Sequence, residues 1–214
     1  MARAGAARAV LFDWDGTLVD SAERTYRCYE QVFAAHGIAF DRVAFERTYS
    51  PDWYRTYEGV GLPREAWAEA DARWVALYET EASRLIEGAR AGLERLSGAG
   101  RVLGVVSSGD AWRVRAEMAA LGVAPLFATS VCGGETARRK PHPEPLLVAL
   151  DRVGVRPVEC AYVGDSPEDV AMAKAAGALA VGIPGGFPNR EALLASAPDL
   201  LAASLGEAVA ALLA

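Results

Sequence analysis

The order of apolar and polar positions predicts a chain in which strands and helices alternate, with one interruption. Residues 8–13 form a short apolar run that ends in aspartate, as expected of a buried strand. From residue 88 onward, similar runs alternate with segments whose apolar residues recur at helical spacing. The apolar runs are 101–108, 126–132, 160–165 and 178–183, and the helical segments are 110–122, 142–154 and 166–177. This alternation predicts an α/β fold, a Rossmann-like parallel sheet flanked by helices on both faces.

The interruption follows the first predicted strand. Residues 18–87 show no strand pattern, carry apolar residues at helical spacing and contain most of the aromatic side chains. We therefore expect an α/β core made of residues 1–17 and 88–214, with a helical insertion at 18–87.

Composition excludes several classes of function. The chain has 214 residues, of which 52% are hydrophobic and 23% charged, with a net charge of −6, so we expect no nucleic-acid partner and no anionic membrane partner. The 3 cysteines are scattered and form no CxxC pair, which argues against a disulfide framework or a zinc site. The start is too short for a signal peptide and no apolar stretch approaches bilayer length, so the expected setting is the cytoplasm.

Polar side chains collect where the predicted strands end. Ligands of parallel α/β sheets bind beyond the carboxyl ends of the strands, so these side chains are candidates for one site. They are Asp13 and Asp15 after the first strand, Ser107 and Ser108 after the second, Asp165 and Asp169 near the end of 160–165, and Lys140 in a loop before a helix.

This combination of groups suits phosphoryl chemistry. Several converging carboxylates repel one another unless a divalent cation lies among them, and oxygen ligands favour Mg²⁺. A metal, Lys140, a serine hydroxyl and loop N–H groups together form a site for a phosphate dianion. An aspartate beside the phosphorus is a natural nucleophile, and the aspartate two residues later could donate a proton to the leaving oxygen and take one from water.

Three of the candidates also have simpler interpretations. Asp169 could be the third residue of a helix capping box that starts at Ser166, instead of supporting a metal. Ser107 could be an ordinary loop hydroxyl, and Lys140 a solvated charge after two arginines. The order and placement of the whole set favour the functional interpretation.

Four motifs give the chain a family resemblance. They are DWDGT at 13–17 followed by LVDS, Ser107 after an apolar strand, KPHP at 140–143, and GDSPED at 164–169. With these motifs the chain resembles the haloacid dehalogenase-like superfamily, in its phosphoglycolate phosphatase and β-phosphoglucomutase-like branch. The likeness runs to the closing segment PDLLAASLGEAVAALL, which resembles the last strand and helix of that family.

The resemblance implies roles for the four aspartates. Asp13 would be the nucleophile that becomes phosphorylated and also a metal ligand. Asp15 would be the general acid/base, with its backbone carbonyl on Mg²⁺. Asp165 would be the other protein ligand of the metal, and Asp169 would support it.

The resemblance also implies how the substrate is held. Ser107 and Lys140, with the N–H of Ser108, would hold the transferring phosphoryl oxygens. The insertion at 18–87 would be a helical cap that closes over the site and contacts the leaving group. Candidate cap contacts are Arg24, Trp53 and Arg55.

We therefore expect an Mg²⁺-dependent phosphatase that hydrolyses a small-molecule phosphate ester, as a monomer or small homo-oligomer. A phosphomutase has the same four motifs, and this alternative stays open. Dehalogenases and phosphonate-cleaving relatives are disfavoured because they lack an acid/base such as Asp15. A phosphoacceptor signalling domain is disfavoured by the chain length, the helical insertion and the second aspartate of the first motif, and a pure interaction module would not need all four groups.

Overall fold

The computed structural model describes residues 4–214, which divide into two compact units. The first unit takes the described residues up to Asp20 together with Arg84–Ala214, and the second is Ser21–Ser83. The predicted insertion, 18–87, is wider at both ends. The outermost residues of the insertion belong to the first unit because the segments at its two ends pair with each other. Val19 forms an antiparallel bridge with Leu85, and the N–H of Asp20 donates to the carbonyl of Arg84 over 2.9 Å.

The first unit carries a parallel sheet and the second unit is helical. The strands are β1 (Ala9–Phe12), β2 (Val102–Asp110), β3 (Thr129–Gly133), β4 (Cys160–Gly164), β5 (Leu179–Gly182) and β6 (Leu200–Leu201). The helices of the second unit are α1 (Ala22–Ala35), α2 (Arg42–Thr48), α3 (Trp53–Gly59) and α4 (Trp67–Tyr78). Those of the first unit are α5 (Ala89–Gly98), α6 (Ala111–Ala120), α7 (Glu144–Val153), α8 (Pro167–Ala176), α9 (Arg190–Ala195) and α10 (Leu205–Leu213).

The strand order of the sheet is β3-β2-β1-β4-β5-β6, and every neighbouring pair is parallel. Because β1 and β4 lie next to each other in the middle, the order reverses there. Ligands of open α/β sheets bind beyond the carboxyl ends of the strands at such a reversal. The topology therefore places the expected site just after Phe12 and Gly164.

Both faces of the sheet are buried, as the continuous apolar runs require. Along β1, Val10 and Phe12 pack into one core with α5, α6 and α10. Ala9 and Leu11 point to the opposite core, which is completed by α7, α8 and α9. Side chains alternate between the faces of a strand, so a strand covered on both sides reads as apolar without interruption.

The predicted fold class is confirmed, and the differences lie at element boundaries. The predicted run 126–132 starts too early, because a 3₁₀ turn occupies Ala124–Leu126 and β3 begins at Thr129. Strand β2 continues to Asp110, past the serines at its predicted end, and its pairing with β3 changes register between Val106 and Asp110. Bulges of this kind often re-aim side chains beside active sites.

The second unit is held together by aromatic packing. Phe33 and Phe40 meet edge to face at 4.8 Å between ring centroids, and the buried Tyr57 packs on Phe33 at 5.8 Å. Asp71 accepts hydrogen bonds from the hydroxyls of Tyr54, over 3.1 Å, and Tyr57, over 2.9 Å. These contacts explain why so many aromatic residues occur in this part of the chain.

The three side chains considered as cap contacts differ in burial. Arg24 is buried inside the second unit, where its guanidinium donates to the carbonyl of Glu81 over 2.7 Å and lies 3.5 Å from the ring centroid of Tyr78. Trp53 is half-buried, and Arg55 is exposed with Asp52 at 3.8 Å. Arg24 therefore contributes to the packing of its own unit. A helix able to cross a bilayer is not found among the described residues.

Candidate active site

The site lies at the carboxyl ends of β1, β2 and β4, all in the first unit. Asp13 follows β1 directly, and its N–H donates to the carbonyl of Val163 in β4 over 2.9 Å. Asp165 follows β4 directly. The parallel pairing Phe12↔Val163 therefore brings the two aspartates to neighbouring positions at the edge of the sheet.

Lys140 joins the aspartates of two motifs. Its Nζ donates to Oδ1 of Asp13 over 2.6 Å and to Oδ1 of Asp169 over 2.7 Å. Its side chain is only 5% exposed, which excludes the simpler interpretation of a solvated surface charge. A buried ammonium is stable only when it is paired, and here two carboxylates pair with it.

Asp169 forms the capping box that the sequence allowed, and it also pairs with Lys140. It is the third residue of a capping box: its N–H donates to Oγ of Ser166 over 3.2 Å, and its Oδ2 accepts from the N–H of Ser166 over 3.1 Å. The hydroxyl of Ser166 also donates to Oδ2 over 2.7 Å, while Oδ1 faces Lys140. Because donors already occupy both carboxylate oxygens, Asp169 is better suited to orienting Lys140 than to ligating a metal.

Without a bound cation, burial makes the carboxyl groups of Asp13 and Asp165 harder to ionise than in water. Burial raises the pKa of Asp13 from 3.8 to about 7, against the opposing effect of Lys140. Burial raises the pKa of Asp165 well above its ordinary value, and the nearby charge of Asp13 raises it further. Burial would lower the pKa of Lys140, but Asp13 and Asp169 outweigh it and the net pKa is raised. The lysine therefore stays charged, and the carboxylates need further positive charge to be fully ionised.

Carboxylate oxygens of Asp13 and Asp165 suit a small divalent cation, with the lysine-paired Asp169 beside them. One carboxylate oxygen from each of Asp13, Asp165 and Asp169 lies within 4.8 Å of the others. Oδ2 of Asp165 is buried and has no hydrogen-bond partner among the described residues. A buried carboxylate oxygen without a partner destabilises the fold unless a cation binds it. Hard oxygen ligands of this kind suit Mg²⁺. Gly16, at φ +80°, leaves room for this oxygen, since a Cβ there would lie 2.3 Å from it.

The predicted phosphate-binding residues share a pocket. Ser107, Ser108 and Lys140 line it, together with Gly133 and Gly134 and with Cys132, Thr136, Arg139 and Pro145. Oγ of Ser107 accepts the N–H of Gly109 over 3.0 Å, so the turn after this serine is ordered by the serine itself. A lysine, hydroxyls and nearby loop amides in one pocket are suited to an anionic ligand.

The structure also connects residues that the sequence analysis missed. Asp15 lies against α6, where Nη2 of Arg113 donates to its Oδ2 over 2.6 Å. Arg113 also pairs with Glu117, one helical turn later, over 3.0 Å. The only sequence signal is the i, i+4 spacing of an arginine and a glutamate on a helix after the second motif, which is common on solvated helix faces.

Comparison with known proteins identifies the family. The sequence model of the haloacid dehalogenase-like hydrolases matches residues 10–183. The chain belongs to the haloacid dehalogenase-like hydrolase family. The match includes the motifs of all four aspartates, Ser107 and Lys140.

Three similar proteins indicate what kind of haloacid dehalogenase-like hydrolase this chain resembles. A phosphoglycolate phosphatase of Xanthomonas campestris is 36% identical over 177 residues, which cover 79% of this chain and 80% of the relative. A Haemophilus somnus structure of a predicted phosphoglycolate phosphatase has a TM-score of 0.83 at 22% identity, over 93% of this chain and 95% of the other. A β-phosphoglucomutase of Clostridium difficile has a TM-score of 0.75 at 19% identity, over 93% and 92%. At these identities the two structures show the fold alone.

These findings confirm the predicted family and the prediction of a phosphatase of the haloacid dehalogenase-like kind. Phosphatases of this family generally use Mg²⁺, in agreement with the donor set described above.

Proposed function

We propose that this protein is an Mg²⁺-dependent phosphatase that hydrolyses a small-molecule phosphate monoester through a phosphoryl group carried on Asp13. The observation that supports it most directly is the pairing of Lys140 with both Asp13 and Asp169 at the topological reversal of the sheet. A buried cation beside a nucleophilic carboxylate screens the approach of the phosphate dianion to that carboxylate.

In the first step, an oxygen of Asp13 attacks phosphorus. A P–O bond forms to Asp13 as the bond to the leaving oxygen breaks, and the electron pair of that bond goes to the leaving oxygen. Asp15 donates a proton to this oxygen, so that the product leaves as an alcohol. Lys140, Ser107 and the N–H of Ser108 hold the other phosphoryl oxygens.

In the second step, water hydrolyses the acyl phosphate. Asp15, now a carboxylate, takes a proton from the water as its oxygen attacks phosphorus. The bond from phosphorus to the Asp13 oxygen breaks, and its electron pair restores the carboxylate. Each side chain ends the cycle in the protonation state in which it began.

The metal would be held by Asp13, Asp165 and the backbone carbonyl of Asp15, with Asp169 in support. When bound, Mg²⁺ supplies positive charge that neutralises the phosphoryl oxygens and the clustered carboxylates. The buried Oδ2 of Asp165, without a hydrogen-bond partner among the described residues, supports this assignment.

Phosphoryl transfer to water is favoured over transfer to a second sugar hydroxyl by the relatives. The Xanthomonas campestris relative, at 36% identity, is named as a phosphatase, whereas two structures named as β-phosphoglucomutases share the fold at 19% and 23% identity. The relative's name makes phosphoglycolate the first ester to test. On the family resemblance, we assign the helical insertion at 18–87 as the cap. We also assign the recognition of the leaving group to this cap.

The test is Mg²⁺-dependent phosphate release from a panel of esters. The panel contains p-nitrophenyl phosphate, phosphoglycolate, sugar phosphates and nucleotides, with Asp13→Asn as the matched control. We expect release that requires both Mg²⁺ and Asp13, and the ester with the highest kcat/KM begins to define the physiological substrate. Absence of release from every ester by the wild-type protein would overturn the proposal.

A further inference from the structure

We propose that Arg113 is a positioning residue that holds the carboxylate of Asp15 for proton transfer, in a partly buried cluster completed by Glu117 and Trp14. The inference rests on the proposed acid/base function of Asp15. The contacts of Arg113 described above are to Asp15 and Glu117, and we expect its effect on the chemistry to pass through Asp15.

The contact between Arg113 and Asp15 is two-pronged. Nη2 donates to Oδ2 over 2.6 Å and Nη1 donates to Oδ1 over 3.3 Å. The side chain of Arg113 is 9% exposed and that of Asp15 is 26% exposed, so the pair is only partly open to water. A guanidinium that meets both oxygens fixes the plane of the carboxylate as well as its position, which a lysine ammonium does not do.

Arg113 is itself held in place by a second carboxylate, that of Glu117. Its Nη1 lies 3.0 Å from Oε2 of Glu117, whose side chain is 11% exposed. The same oxygen of Glu117 accepts the indole N–H of Trp14 over 2.7 Å. Trp14 is fully buried and lies between the two aspartates of the first motif in sequence. Two successive residues of the catalytic loop, 14 and 15, are thus anchored to one turn of α6.

The backbone beside this cluster leaves room for the guanidinium. A Cβ at Gly109 would lie 2.2 Å from Nη2 of Arg113 and 3.1 Å from its Cζ. Any larger residue at 109 would push the guanidinium away from its present position against Asp15. The present position of the guanidinium therefore depends on a small residue at 109.

The chemical consequence concerns the charge on Asp15. When Asp15 gives its proton to the leaving oxygen, it becomes a carboxylate. The adjacent guanidinium is already in position to stabilise this negative charge. Without Arg113, the carboxyl group loses the contact that fixes its plane, so the orientation in which its proton reaches the leaving oxygen is populated less. The loss should be largest for esters whose leaving group needs that proton.

The experiment compares two leaving groups in four proteins: wild type, Arg113→Gln, Arg113→Lys and the control Arg115→Gln. Arg115 lies on the same helix but pairs at the surface with Glu135, over 2.7 Å. An alkyl phosphate, which needs protonation, is compared with p-nitrophenyl phosphate, which needs little. For Arg113→Gln we expect kcat for the alkyl ester to fall about tenfold or more, with KM nearly unchanged. The burst rate of phosphoenzyme formation from p-nitrophenyl phosphate should fall less than about threefold.

Two further results separate positioning from general damage to the fold. Arg113→Lys, which keeps the charge but not the fork, should recover part of the alkyl-ester rate, and it serves in place of Arg113→Gln if that variant does not fold. In an Asp15→Asn background the Arg113 substitution should add almost no further loss, because its effect passes through Asp15.

Equal losses with both esters, or the same loss in the Asp15→Asn background, would overturn the inference while the phosphatase proposal stands. A wild-type protein inactive on every ester would overturn both.

Discussion

Nζ of Lys140 lies 2.6 Å from Oδ1 of Asp13, although 127 positions separate the two residues in the chain. The lysine comes from the loop before α7 and the aspartate from the end of β1, so the contact depends on the sheet being folded. The proposed nucleophile is thus paired with a buried ammonium group in the folded protein. This pair connects the stability of the site with its chemistry.

Replacing Lys140 by methionine should destabilise the protein and abolish activity. The substitution leaves Asp13 and Asp169 buried without their counter-charge, and removing one partner of a buried pair typically costs about 3–5 kcal/mol. Urea unfolding at pH 8 should show the loss, and added Mg²⁺ should recover part of it. Lys174→Met, at an exposed lysine that donates to the carbonyl oxygens of Ser196 and Ala197, is the control and should change stability little. Equal stability of the two variants would mean that the Lys140 pair contributes nothing.

Replacing Asp13 by asparagine should abolish turnover while the fold is kept. The amide has nearly the same size and still offers Lys140 an oxygen, but it is not a nucleophile toward phosphorus. We expect kcat to fall at least about a thousandfold with an unchanged circular dichroism spectrum. More than a trace of remaining activity, in a preparation free of wild-type enzyme, would contradict a route through Asp13.

Much of the fold could be predicted from the sequence because its signals are local. The apolar runs at residues 8–13 and 160–165 read as strands covered on both faces, and they are β1 and β4 in the centre of the sheet. The predicted start of β3 is too early because the preceding 3₁₀ turn at Ala124–Leu126 is also apolar. Composition alone does not distinguish such a turn from the start of a strand.

Asp15→Asn should separate the two chemical steps. With p-nitrophenyl phosphate, whose leaving group needs little protonation, the variant should still transfer a phosphoryl group to Asp13. Hydrolysis should then stall, since no base takes the proton from water. Quenched-flow kinetics should show a burst of about one nitrophenolate per enzyme followed by slow turnover. Loss of the burst together with turnover would argue against a separate acid/base role for Asp15.

Stabilisation by Mg²⁺ should grow with pH. Burial raises the pKa of Asp13 from 3.8 to about 7, so the folded state binds more protons than the unfolded state between these values. The free energy of unfolding of the metal-free protein therefore receives a falling contribution from Asp13 as pH rises from about 4 to 7. The pKa of Lys140 is raised from 10.5, so its contribution is constant in that window.

Because Mg²⁺ binds deprotonated carboxylates, it should restore stability most where they are ionised. Thermal unfolding with and without Mg²⁺ tests this. The increase in Tm should be larger at pH 8 than at pH 5, and Asp13→Asn should reduce that difference. A shift that is independent of pH would contradict metal binding at these carboxylates.

Gly185→Ala should weaken Mg²⁺ binding. A Cβ at this position would lie 2.1 Å from Oδ2 of Asp165 and 2.8 Å from its Cγ, so the carboxylate has to move. We expect Mg²⁺ affinity, measured by calorimetric titration, to fall by about tenfold or more. Gly98→Ala is the control, since a Cβ there meets nothing within 4 Å, and its affinity should be unchanged. Unchanged affinity in Gly185→Ala would remove Asp165 from the proposed ligands.

The candidate site was less predictable than the fold in one respect. Asp13, Asp165 and Lys140 stand out in the sequence because the order and placement of their motifs point to one site. Arg113 and Glu117 do not, because an arginine and a glutamate four residues apart are ordinary on any helix. Their connection to the candidate site appears only in the folded protein, where Nη2 of Arg113 donates to Oδ2 of Asp15, 98 positions away in the chain.

If Asp13 carries the phosphoryl group during turnover, the phosphorylated side chain can be trapped and identified. The wild-type protein is mixed with Mg²⁺ and the best ester of the panel, quenched in acid within milliseconds, digested and analysed by mass spectrometry. Borohydride reduction of the quenched protein should convert the acyl phosphate to homoserine at position 13 and at no other aspartate. A turning-over enzyme with no phosphoryl group on that peptide, or with homoserine at position 15 or 165 instead, would contradict the account.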